Sequence, residues 1–507
     1  MKTSGYAYGE PSRAARSITA PMDGAWALLN TLLPYAGAVG GALSFALVPF
    51  VLVRRREPSS ALAWILALIF LPGLGAVLFL LHGRDRVRWP ARRKRAADRV
   101  VIARLHAVRN TTELGAKSEL AAMPLNERRI FNVCVGRGTS AEVSAQNSVE
   151  LLADGRTAVE AMERAIDEAR SSVLFECYLI RDDATGARFR DRLVQAAERG
   201  VDVRVLLDAY GCFWLPKRWF RPLQRAGCKV ALFLPLRLAF RLPMNLRTHR
   251  KILVVDGRVA FTGGVNIGDE YVRATQREPM WRDSHVRVEG PAVGSLSAVF
   301  LRDWHFMTGE TAVKAELFGE CAGQGGVTMA IVPSGPDETR EAIHRTFFAA
   351  IVAAQRRVWI TTPYFVPDRS LLVALETAAL RGVDVQMILP SRSNHAVTHR
   401  AGMSYYAELL ESGVEIYEYL PGMIHAKTML IDDSISLVGS ANMDMRSFRL
   451  NFEVHALMRD LKLVERLAQS FAEDRRVSRK LDAESWAERP WSHRVGEGAA
   501  RLVSPIL

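Results

Sequence analysis

The chain is poor in cysteine, with five in 507 residues. No two of them form a Cys-x-x-Cys pair, and their number is odd. Neither a disulfide framework nor a zinc site is therefore indicated, which agrees with a reducing compartment. The five are Cys134, Cys177, Cys212, Cys228 and Cys321.

Charge is absent from two long stretches near the N-terminus. Gly24–Val53 has no charged side chain, and neither has Pro58–Leu81. A bilayer core of about 30 Å needs about 20 helical residues, so each stretch is long enough to span it. A cleaved signal peptide is not indicated, because the apolar run starts late and a second one follows. The sequence predicts a transmembrane helical hairpin.

The orientation of this hairpin stays open. Basic residues occur between the two stretches, at Arg54–Arg56, and after the second, from Arg84 to Arg95. The positive-inside rule puts the second cluster in the cytoplasm, where it could gather acidic lipid. If both stretches span, Arg54–Arg56 lies on the opposite side. A kinked or re-entrant hairpin at Pro72–Gly75 would instead keep both clusters on one side.

Acidic residues are absent between Asp208 and Asp256, where basic and aromatic residues alternate, as in Phe213–Phe220. Such a mixture suits a lipid interface, where rings sit at the headgroup level and cations meet phosphate. It could also track single-stranded nucleic acid. The adjoining hairpin favours lipid, and the net charge of +13 agrees with an anionic partner.

Two stretches, Thr248–Asn266 and Ile424–Asn442, repeat one pattern in register. Each has His-x-Lys, an Asp five residues after the Lys, a Gly seven residues later and an Asn three after that. The pattern indicates an internal duplication. The matched pairs are His249/His425, Lys251/Lys427, Asp256/Asp432, Gly263/Gly439 and Asn266/Asn442.

The spacing of the repeat predicts its local structure. On an extended segment, His and Lys two residues apart point to one face. The aliphatic runs Ile252–Val255 and Thr428–Ile431 favour strands. The glycine turn then brings an Asn amide near that face, and a nucleophilic or acid–base group, a cation and a neutral donor suit a phosphate oxyanion. The motif acids follow hydrophobic strands, which is typical of turn or domain-contact residues.

The duplication extends to whole lobes. Helix Arg156–Arg170, strand Ser172–Ile180 and their successors are matched by Glu338–Arg357 and Val358–Tyr364 in the second half. This alternation predicts an α/β fold with parallel or mixed central sheets, and a Gly-rich break at Gly319–Gly326 between the lobes. The predicted organisation is an N-terminal tail (1–24), a membrane hairpin with a basic juxtamembrane segment (25–95), a connector (96–147), lobe 1 (148–318), lobe 2 (327–475) and a C-terminal tail (476–507) that lies on the membrane or on the lobes.

The repeated pattern resembles the His-Lys-Asp motif of the phospholipase D superfamily, matched twice with the family's spacing. The resemblance implies two phospholipase D-like lobes whose motifs meet at one active site. It also implies phosphodiester chemistry through a covalent phosphohistidine, without a metal or other cofactor. The first copy departs from the family at Gly264, where Ser is usual, whereas the second copy keeps Ser440.

The resemblance also assigns roles. His249 is the nucleophile and His425 the general acid and base, although these two roles could be reversed. Asp283 and Glu453, downstream of the motifs, orient the motif histidines. Apart from the resemblance, His285 and His455 are expected to pack in the core or to support the catalytic groups, and not to act as catalysts. The predicted catalytic set is His249, Lys251, Asp256, His425, Lys427 and Asp432, and the predicted phosphate-binding set is Asn266, Asn442 and Ser440.

The hairpin, the two motif lobes and the tail together resemble the membrane-bound cardiolipin synthases of this superfamily. The resemblance implies transfer of a phosphatidyl group between two phosphatidylglycerol molecules, with release of glycerol. The expected location is the bacterial inner membrane, multi-pass, with the catalytic part in the cytoplasm and without nucleic acid as a partner. Open alternatives are a phospholipase D-type hydrolase, transfer to or from another phospholipid such as phosphatidylethanolamine, and, less favoured, a nuclease. An inactive scaffold would need a broken motif, and both motifs are intact.

Overall fold

The structure is a computed structural model in which the chain forms two compact units, Met1–Arg86 and Val87–Leu507. It describes residues 39–53, 58–80, 94, 98–99, 101–103, 113–136, 139–235, 246–274, 279–311, 317, 325–338, 341–502 and 504.

The first unit is helical where it is described. Residues 39–53 are helical, and α1 (Pro58–Phe70) and α2 (Leu74–Leu78) follow. Val51, Leu68 and Phe79 bury their side chains together, while apolar side chains such as Phe45, at 81% exposure, face outwards. Within the described ranges, no helix combines the length and the apolar character needed to cross a bilayer. Parts of the predicted hairpin, namely residues 24–38, 54–57 and 81–93, lie outside those ranges.

The predicted connector contains two helices that belong to the core of the second half. They are α3 (Glu113–Ala122) and α4 (Leu125–Cys134). Ile130 and Phe131 on one face of α4 are buried against Phe347 and its neighbours, because this helix is amphipathic. The strand β1 then starts at Glu142, before the predicted start of lobe 1 at 148.

The first half has the alternating elements that the sequence predicts. In chain order they are β1 (Glu142–Leu152), α5 (Gly155–Asp167), β2 (Ser172–Cys177), α6 (Ala184–Glu198), β3 (Asp202–Asp208), α7 (Lys217–Arg225), β4 (Lys229–Phe233), β5 (Arg247–Thr248), β6 (Ile252–Val255), β7 (Val259–Gly263), α8 (Asp269–Val272), β8 (His285–Glu289) and α9 (Ala292–Thr308).

The second half repeats this order and adds a helical tail. Its elements are β9 (Val327–Ser334), α10 (Ala342–Ala353), β10 (Arg357–Thr361), β11 (Phe365–Val366), α11 (Arg369–Leu380), β12 (Asp384–Pro390), α12 (Ala396–Met403), α13 (Tyr406–Glu411), β13 (Glu415–Tyr419), β14 (Thr428–Ile431), β15 (Ile435–Gly439), β16 (Met443–Asp444), α14 (Met445–Arg449), β17 (Asn451–Arg459), α15 (Leu461–Arg476), β18 (Ser478–Lys480), α16 (Ala483–Ala487) and α17 (Trp491–Arg501).

Sixteen of the described strands join one mixed sheet, which confirms the predicted α/β class. The strands follow the order β18-β13-β12-β10-β14-β15-β17-β9-β1-β8-β7-β6-β2-β3-β4, and β5 pairs with β17 outside this order. Along this order, parallel pairing is confined to β2, β3 and β4 and their counterparts β10, β12 and β13; β5 also pairs in parallel with β17. All other neighbours in this order pair antiparallel, so the sheet is less parallel than strand–helix alternation alone suggests.

The C-terminal tail packs on the second half of the catalytic unit. Trp486 and Ala500 are buried in the same core as β10 and α11. The guanidinium of Arg489 lies 3.3 Å from the centre of the Trp486 ring and also binds Glu497. Up to residue 502 the tail thus packs on this half, which is one of the two alternatives that the sequence left open. Most of the predicted Gly319–Gly326 break lies outside the described residues.

The motif acids Asp256 and Asp432 stand at the ends of β6 and β14 that are remote from the histidines. The carboxylate of Asp256 accepts hydrogen bonds from the backbone N–H groups of Arg170, Ser171 and Ser172 at 2.8–2.9 Å. Asp432 binds the amides before β10 in the same way. Both residues have a positive φ, near 53°, in the turn that follows the strand. Their geometry is that of turn residues, as their position after hydrophobic strands indicates.

We expect Asp256→Ala to destabilise the protein by about 2 kcal/mol, because three amides lose their acceptor. The measurement is thermal unfolding in detergent. Asp433→Ala is the matched control, since Asp433 is about half exposed and makes ion pairs with Arg356 and Arg357 at the surface, and its loss should cost less than about 1 kcal/mol. Equal losses in the two variants would contradict this role of Asp256.

Candidate active site

The backbone of each motif runs beside the acid-bearing strand of the other half. β5 pairs in parallel with β17, and the N–H of His249 donates to the carbonyl of Phe452 at 2.8 Å. In the second motif, the N–H of His425 donates to the carbonyl of Arg282 at 2.6 Å. A two-residue parallel strand pair thus places the first motif histidine against the opposite half, and an isolated parallel bridge between Arg282 and Ile424 places the second.

The carboxylates that orient the histidines are exchanged between the halves. Nδ1 of His249 lies 3.1 Å from Oε2 of Glu453, and Nδ1 of His425 lies 2.7 Å from Oδ2 of Asp283. Both carboxylates are completely buried, while the His249 side chain keeps 12% of its surface exposed. The sequence predicts these two acids, but it does not show which histidine each one contacts.

Burial sets the protonation of both pairs. It lowers the pKa of His425 to about 3, with Lys427 adding to the shift and Asp283 opposing it. Burial also lowers the pKa of His249, against the pull of Glu453. Burial alone would raise the pKa of Glu453, but His249 and Lys251 lower it to about 2. At neutral pH each pair is therefore a neutral imidazole whose Nδ1–H donates to a carboxylate, leaving Nε2 with a lone pair.

The two motif lysines are buried in the same place. Nζ of Lys251 donates to the carbonyl of His249 at 2.7 Å, and Nζ of Lys427 binds the carbonyl of His425 and lies 2.8 Å from its Nδ1. Burial lowers the pKa of Lys251 to about 8 and that of Lys427 to about 7. The charge of Lys251 contributes to the shift at Lys427, so the two motifs share one electrostatic site. Two partly desolvated cations side by side suit an anionic ligand.

The predicted phosphate-binding residues divide into two groups. Asn266 donates from Nδ2 to the hydroxyl of Tyr271 at 2.9 Å, and Oδ1 of Asn442 is buried without a hydrogen-bond partner among the described residues. Each amide stands fifteen residues after the lysine of its motif. Ser440, in contrast, donates its hydroxyl to Oε2 of Glu453 at 2.5 Å and accepts from the N–H of Val454. This geometry favours support of Glu453 over direct contact with phosphate, contrary to the prediction for Ser440.

The departure at Gly264 has a steric cause. A Cβ at this position would lie 2.1 Å from Oδ1 of Asp283, so the carboxylate occupies the space that a serine side chain would need. At the matching position of the second half, the longer Glu453 reaches past Ser440. The shorter acid, Asp283, therefore occurs with a glycine at 264, and the longer acid, Glu453, occurs with a serine at 440.

Aromatic rings that the sequence did not single out for a role enclose both imidazoles. The ring of Tyr178 packs edge-on against His249, with centroids 5.1 Å apart, and Nζ of Lys251 lies 5.5 Å from the same ring. Tyr271 and Trp281 pack against His425 at 5.7 and 5.5 Å. Trp281 stands two residues before Asp283, so on an extended segment the two side chains point to the same face. This spacing is the sequence signal that could have placed Trp281 near the site.

A buried ionic cluster supports the residue that follows His249. Arg250 donates to the carbonyl of Glu453 at 3.1 Å and to the carboxylate of Asp303. Lys94 binds the same Asp303 at 2.9 Å and Asp337 at 2.8 Å. Lys94 is 1% exposed, so this member of the Arg84–Arg95 segment binds carboxylates of the protein and is not available to acidic lipid. Alternation along the chain turns Arg250 into the protein and His249 towards the site.

The histidines downstream of the motifs are packing residues. His285 and His455 are buried, and burial lowers the pKa of each to about 3. The imidazole of His455 lies against the motif glycine Gly439, where a Cβ would come within 2.4 Å of Nδ1. Close approach of this ring, rather than catalysis, accounts for the glycine.

We expect Gly264→Ala to reduce turnover of a phosphodiester substrate on the order of 100-fold, because the new methyl group displaces Asp283 from His425. The measurement is kcat together with thermal unfolding, which shows whether the variant remains folded. Gly498→Ala is the control, since a Cβ at Gly498 meets nothing within 4 Å. Full activity of Gly264→Ala would show that the position of Asp283 does not matter.

Comparisons with known proteins are consistent with this geometry. A family model described as "Cardiolipin synthase, PLD-like domain" matches residues 162–304 and 347–475. A second model, "Phospholipase_D-nuclease N-terminal", matches residues 42–84.

Curated relatives match over nearly the whole chain. The major cardiolipin synthase of Bacillus subtilis is 37% identical over 469 residues, which cover 90% of this chain and 95% of that protein. Cardiolipin synthase 1 of Bacillus cereus is 35% identical over 497 residues, covering 95% and 96%. Among solved structures, phosphatidylserine synthase of Haemophilus influenzae is similar in fold, with a TM-score of 0.57 and 16% identity over 76% of this chain and all of that one.

Proposed function

The chain belongs to the cardiolipin synthases with phospholipase D-like domains, and we propose that it transfers a phosphatidyl group from one phosphatidylglycerol to another through a phosphohistidine. The observation that carries this mechanism is the pair of imidazoles, each held at Nδ1 by a carboxylate from the other half. An imidazole oriented in this way has its Nε2 free for attack or for proton transfer.

In the first step, Nε2 of His249 attacks the phosphorus of a phosphatidylglycerol. A P–N bond forms and the P–O bond to the glycerol headgroup breaks. The glycerol leaves with the Nε2 proton of His425, which enters this step as imidazolium because the negative charge of the bound phosphodiester raises its pKa. The greater exposure of His249 supports its assignment as the nucleophile, since His425 is enclosed by Tyr271 and Trp281. Glu453 then lies beside the positive charge that develops on the attacking imidazole.

In the second step, His425 takes the proton from a glycerol hydroxyl of a second phosphatidylglycerol. The hydroxyl oxygen attacks phosphorus, the P–N bond breaks, and cardiolipin leaves while His249 returns to its neutral form. Lys251, Lys427 and the two motif amides would hold the nonbridging oxygens, whose charge must be stabilised as phosphorus becomes five-coordinate. Ser440 supports Glu453 in this scheme.

The test uses purified full-length protein in mixed micelles with radiolabelled phosphatidylglycerol as the only phospholipid. We expect cardiolipin and glycerol in equal amounts, and a loss of roughly 10²–10⁴-fold or more in His249→Ala, the size of acid–base and nucleophilic contributions. His493→Ala, an exposed histidine of α17, should keep the wild-type rate. Quenching at high pH followed by peptide mass spectrometry should place the phosphatidyl group on His249.

Each other result has a defined meaning. Phosphatidic acid without cardiolipin would make the protein a phospholipase D-type hydrolase. A modified peptide that contains His425 would exchange the roles of the two histidines. Full activity in His249→Ala would overturn this active site altogether.

We further propose that the protein is a multi-pass protein of the inner membrane with its catalytic part in the cytoplasm. The two charge-free stretches in residues 25–95 support this location. So do the exposed apolar side chains of the first unit, among them Val53 and Phe70 at 82% and 75% exposure. Side chains of this kind suit a lipid environment.

The catalytic unit also has a surface suited to anionic phospholipid. We name the loop Tyr210–Leu215 the aromatic loop; Phe213 is 53% and Trp214 84% exposed. Helix α7 follows it with exposed basic residues such as Lys217 and Arg221, while Trp219 faces the core. The loop is close to the active site, because Asp208 accepts from the N–H groups of Tyr210 and Gly211 and from that of Thr248, which precedes His249. Aromatic side chains beside cations favour a headgroup interface.

We expect Phe213→Ser/Trp214→Ser to reduce the rate about tenfold at low surface density of phosphatidylglycerol, because two rings no longer enter the interface. The measurement is the rate in mixed micelles as the lipid is diluted with detergent. Trp491→Ser is the control, since Trp491 is 75% exposed but lies on the tail helix α17. The same dependence on dilution in both variants would mean that the aromatic loop does not meet lipid.

A further inference from the structure

The twofold relation between the motifs fails at the residue two positions before each histidine. The first motif has Arg247 there and the second has Met423. The motif histidines, lysines and amides, in contrast, are the same residue types in the two halves. The site therefore has a positively charged guanidinium beside the first motif and an uncharged thioether at the matching position of the second. The duplication of the motif does not account for this difference in charge.

Arg247 shares a face with the catalytic side chains. Side chains of an extended segment alternate, and residues two apart are about 6.6 Å apart along it. The intervening Thr248 donates to Glu176 at 2.5 Å and Arg250 binds Asp303, both on the inner side. Arg247, His249 and Lys251 therefore follow one another along the face that carries the site.

The Arg247 guanidinium is buried but only partly satisfied. The residue is 3% exposed, and Nη2 is without a hydrogen-bond partner among the described residues. Its guanidinium lies 5.2 Å from the centre of the Tyr210 ring. Asp208 is the neighbouring carboxylate, yet its oxygens already accept three backbone N–H groups. Tyr178, which packs on His249, and Arg446 are also within electrostatic range. The local charge therefore suits an anion better than a neutral ligand.

The reaction requires a second place for phosphate. Cardiolipin carries two phosphates joined by a three-carbon bridge, and the motif lysines and amides account for the one that reacts. When the acceptor's hydroxyl reaches phosphorus, the acceptor's own phosphate must lie one glycerol length away. We propose that Arg247 binds this acceptor phosphate and so selects alcohols that carry one. The proposal rests on the transfer reaction proposed above and assigns its acceptor side to the Arg247 side of the site.

The test is a competition between two soluble acceptors, glycerol and glycerol phosphate, each with a different radiolabel, with short-chain phosphatidylglycerol as donor. In both cases a hydroxyl oxygen attacks the phosphorus of the phosphatidyl-His249 intermediate, the P–N bond breaks and the proton passes to His425. The ratio of the two lipid products depends only on acceptor choice. It does not change with the fraction of folded enzyme or with donor binding, so a poorly folding variant remains informative.

We expect Arg247→Met, which installs the residue of the second motif, to lower the ratio of glycerol phosphate product to glycerol product about 10- to 100-fold. This is the effect of losing charge-assisted hydrogen bonds to phosphate. Arg247→Lys should fall between the two, because it keeps the charge without the planar fork. Arg345→Met, an exposed arginine of α10, is the matched control and should keep the wild-type ratio.

The outcomes separate this proposal from the function on which it rests. Labelled lipid from both acceptors, with equal ratios in wild type and Arg247→Met, would overturn the subsite and leave the transferase intact. An equal loss of both products without a change in ratio would also overturn the subsite, whether the loss comes from poorer folding or from weaker binding of the reacting phosphate. Phosphatidic acid alone from the wild type would overturn the transfer reaction, and the acceptor subsite with it.

Discussion

The exchange of carboxylates between the two halves is the constraint on which the site depends. His249 is completed by Glu453 and His425 by Asp283, and both acids are fully buried. A buried carboxylate without its partner is costly, so each pair holds the two halves in one relation. The continuous path β8-β1-β9-β17 through the sheet keeps that relation rigid. One half alone has an imidazole and a carboxylate, but these are not each other's partners.

The departures from twofold symmetry are as informative as the symmetry itself. Asp283 with Gly264 on one side replaces Glu453 with Ser440 on the other, and each combination brings one carboxylate oxygen to Nδ1. The two combinations therefore place a carboxylate oxygen beside the motif histidine in the same way. The rings around the imidazoles and the pair Arg247/Met423 are not equivalent, because they change the exposure and the charge beside each histidine. A reaction that joins two copies of one lipid needs a donor side and an acceptor side in its active site. The rings and the pair Arg247/Met423 are positions at which the two halves differ.

The motifs, the duplication and the mixed α/β fold could be predicted from the sequence, because they rest on local spacing and on the period of the strands. The acids Asp283 and Glu453 could also be named, yet their crossed pairing could not, since it depends on how two distant segments meet in a sheet. The same limit applies to Lys94: in sequence it belongs to a basic cluster, whereas Asp303 and Asp337, far along the chain, turn it inwards. Trp281 was visible as a residue, but its contact with a histidine of the other half was not.

The protonation of the site points to a role for the substrate's own charge. Burial leaves both imidazoles neutral and lowers the pKa of the motif lysines to about 7 and 8. A phosphodiester between them adds a negative charge at short range, which favours the charged form of every nearby base and so raises these pKa values. In the proposed cycle the bound phosphodiester therefore favours the protonated, charged form of the lysines that bind it. It also favours protonation of an imidazole, which can then donate a proton to the leaving glycerol. A neutral ligand of the same shape would bring neither effect, so the buried cations select for phosphate by charge as well as by shape.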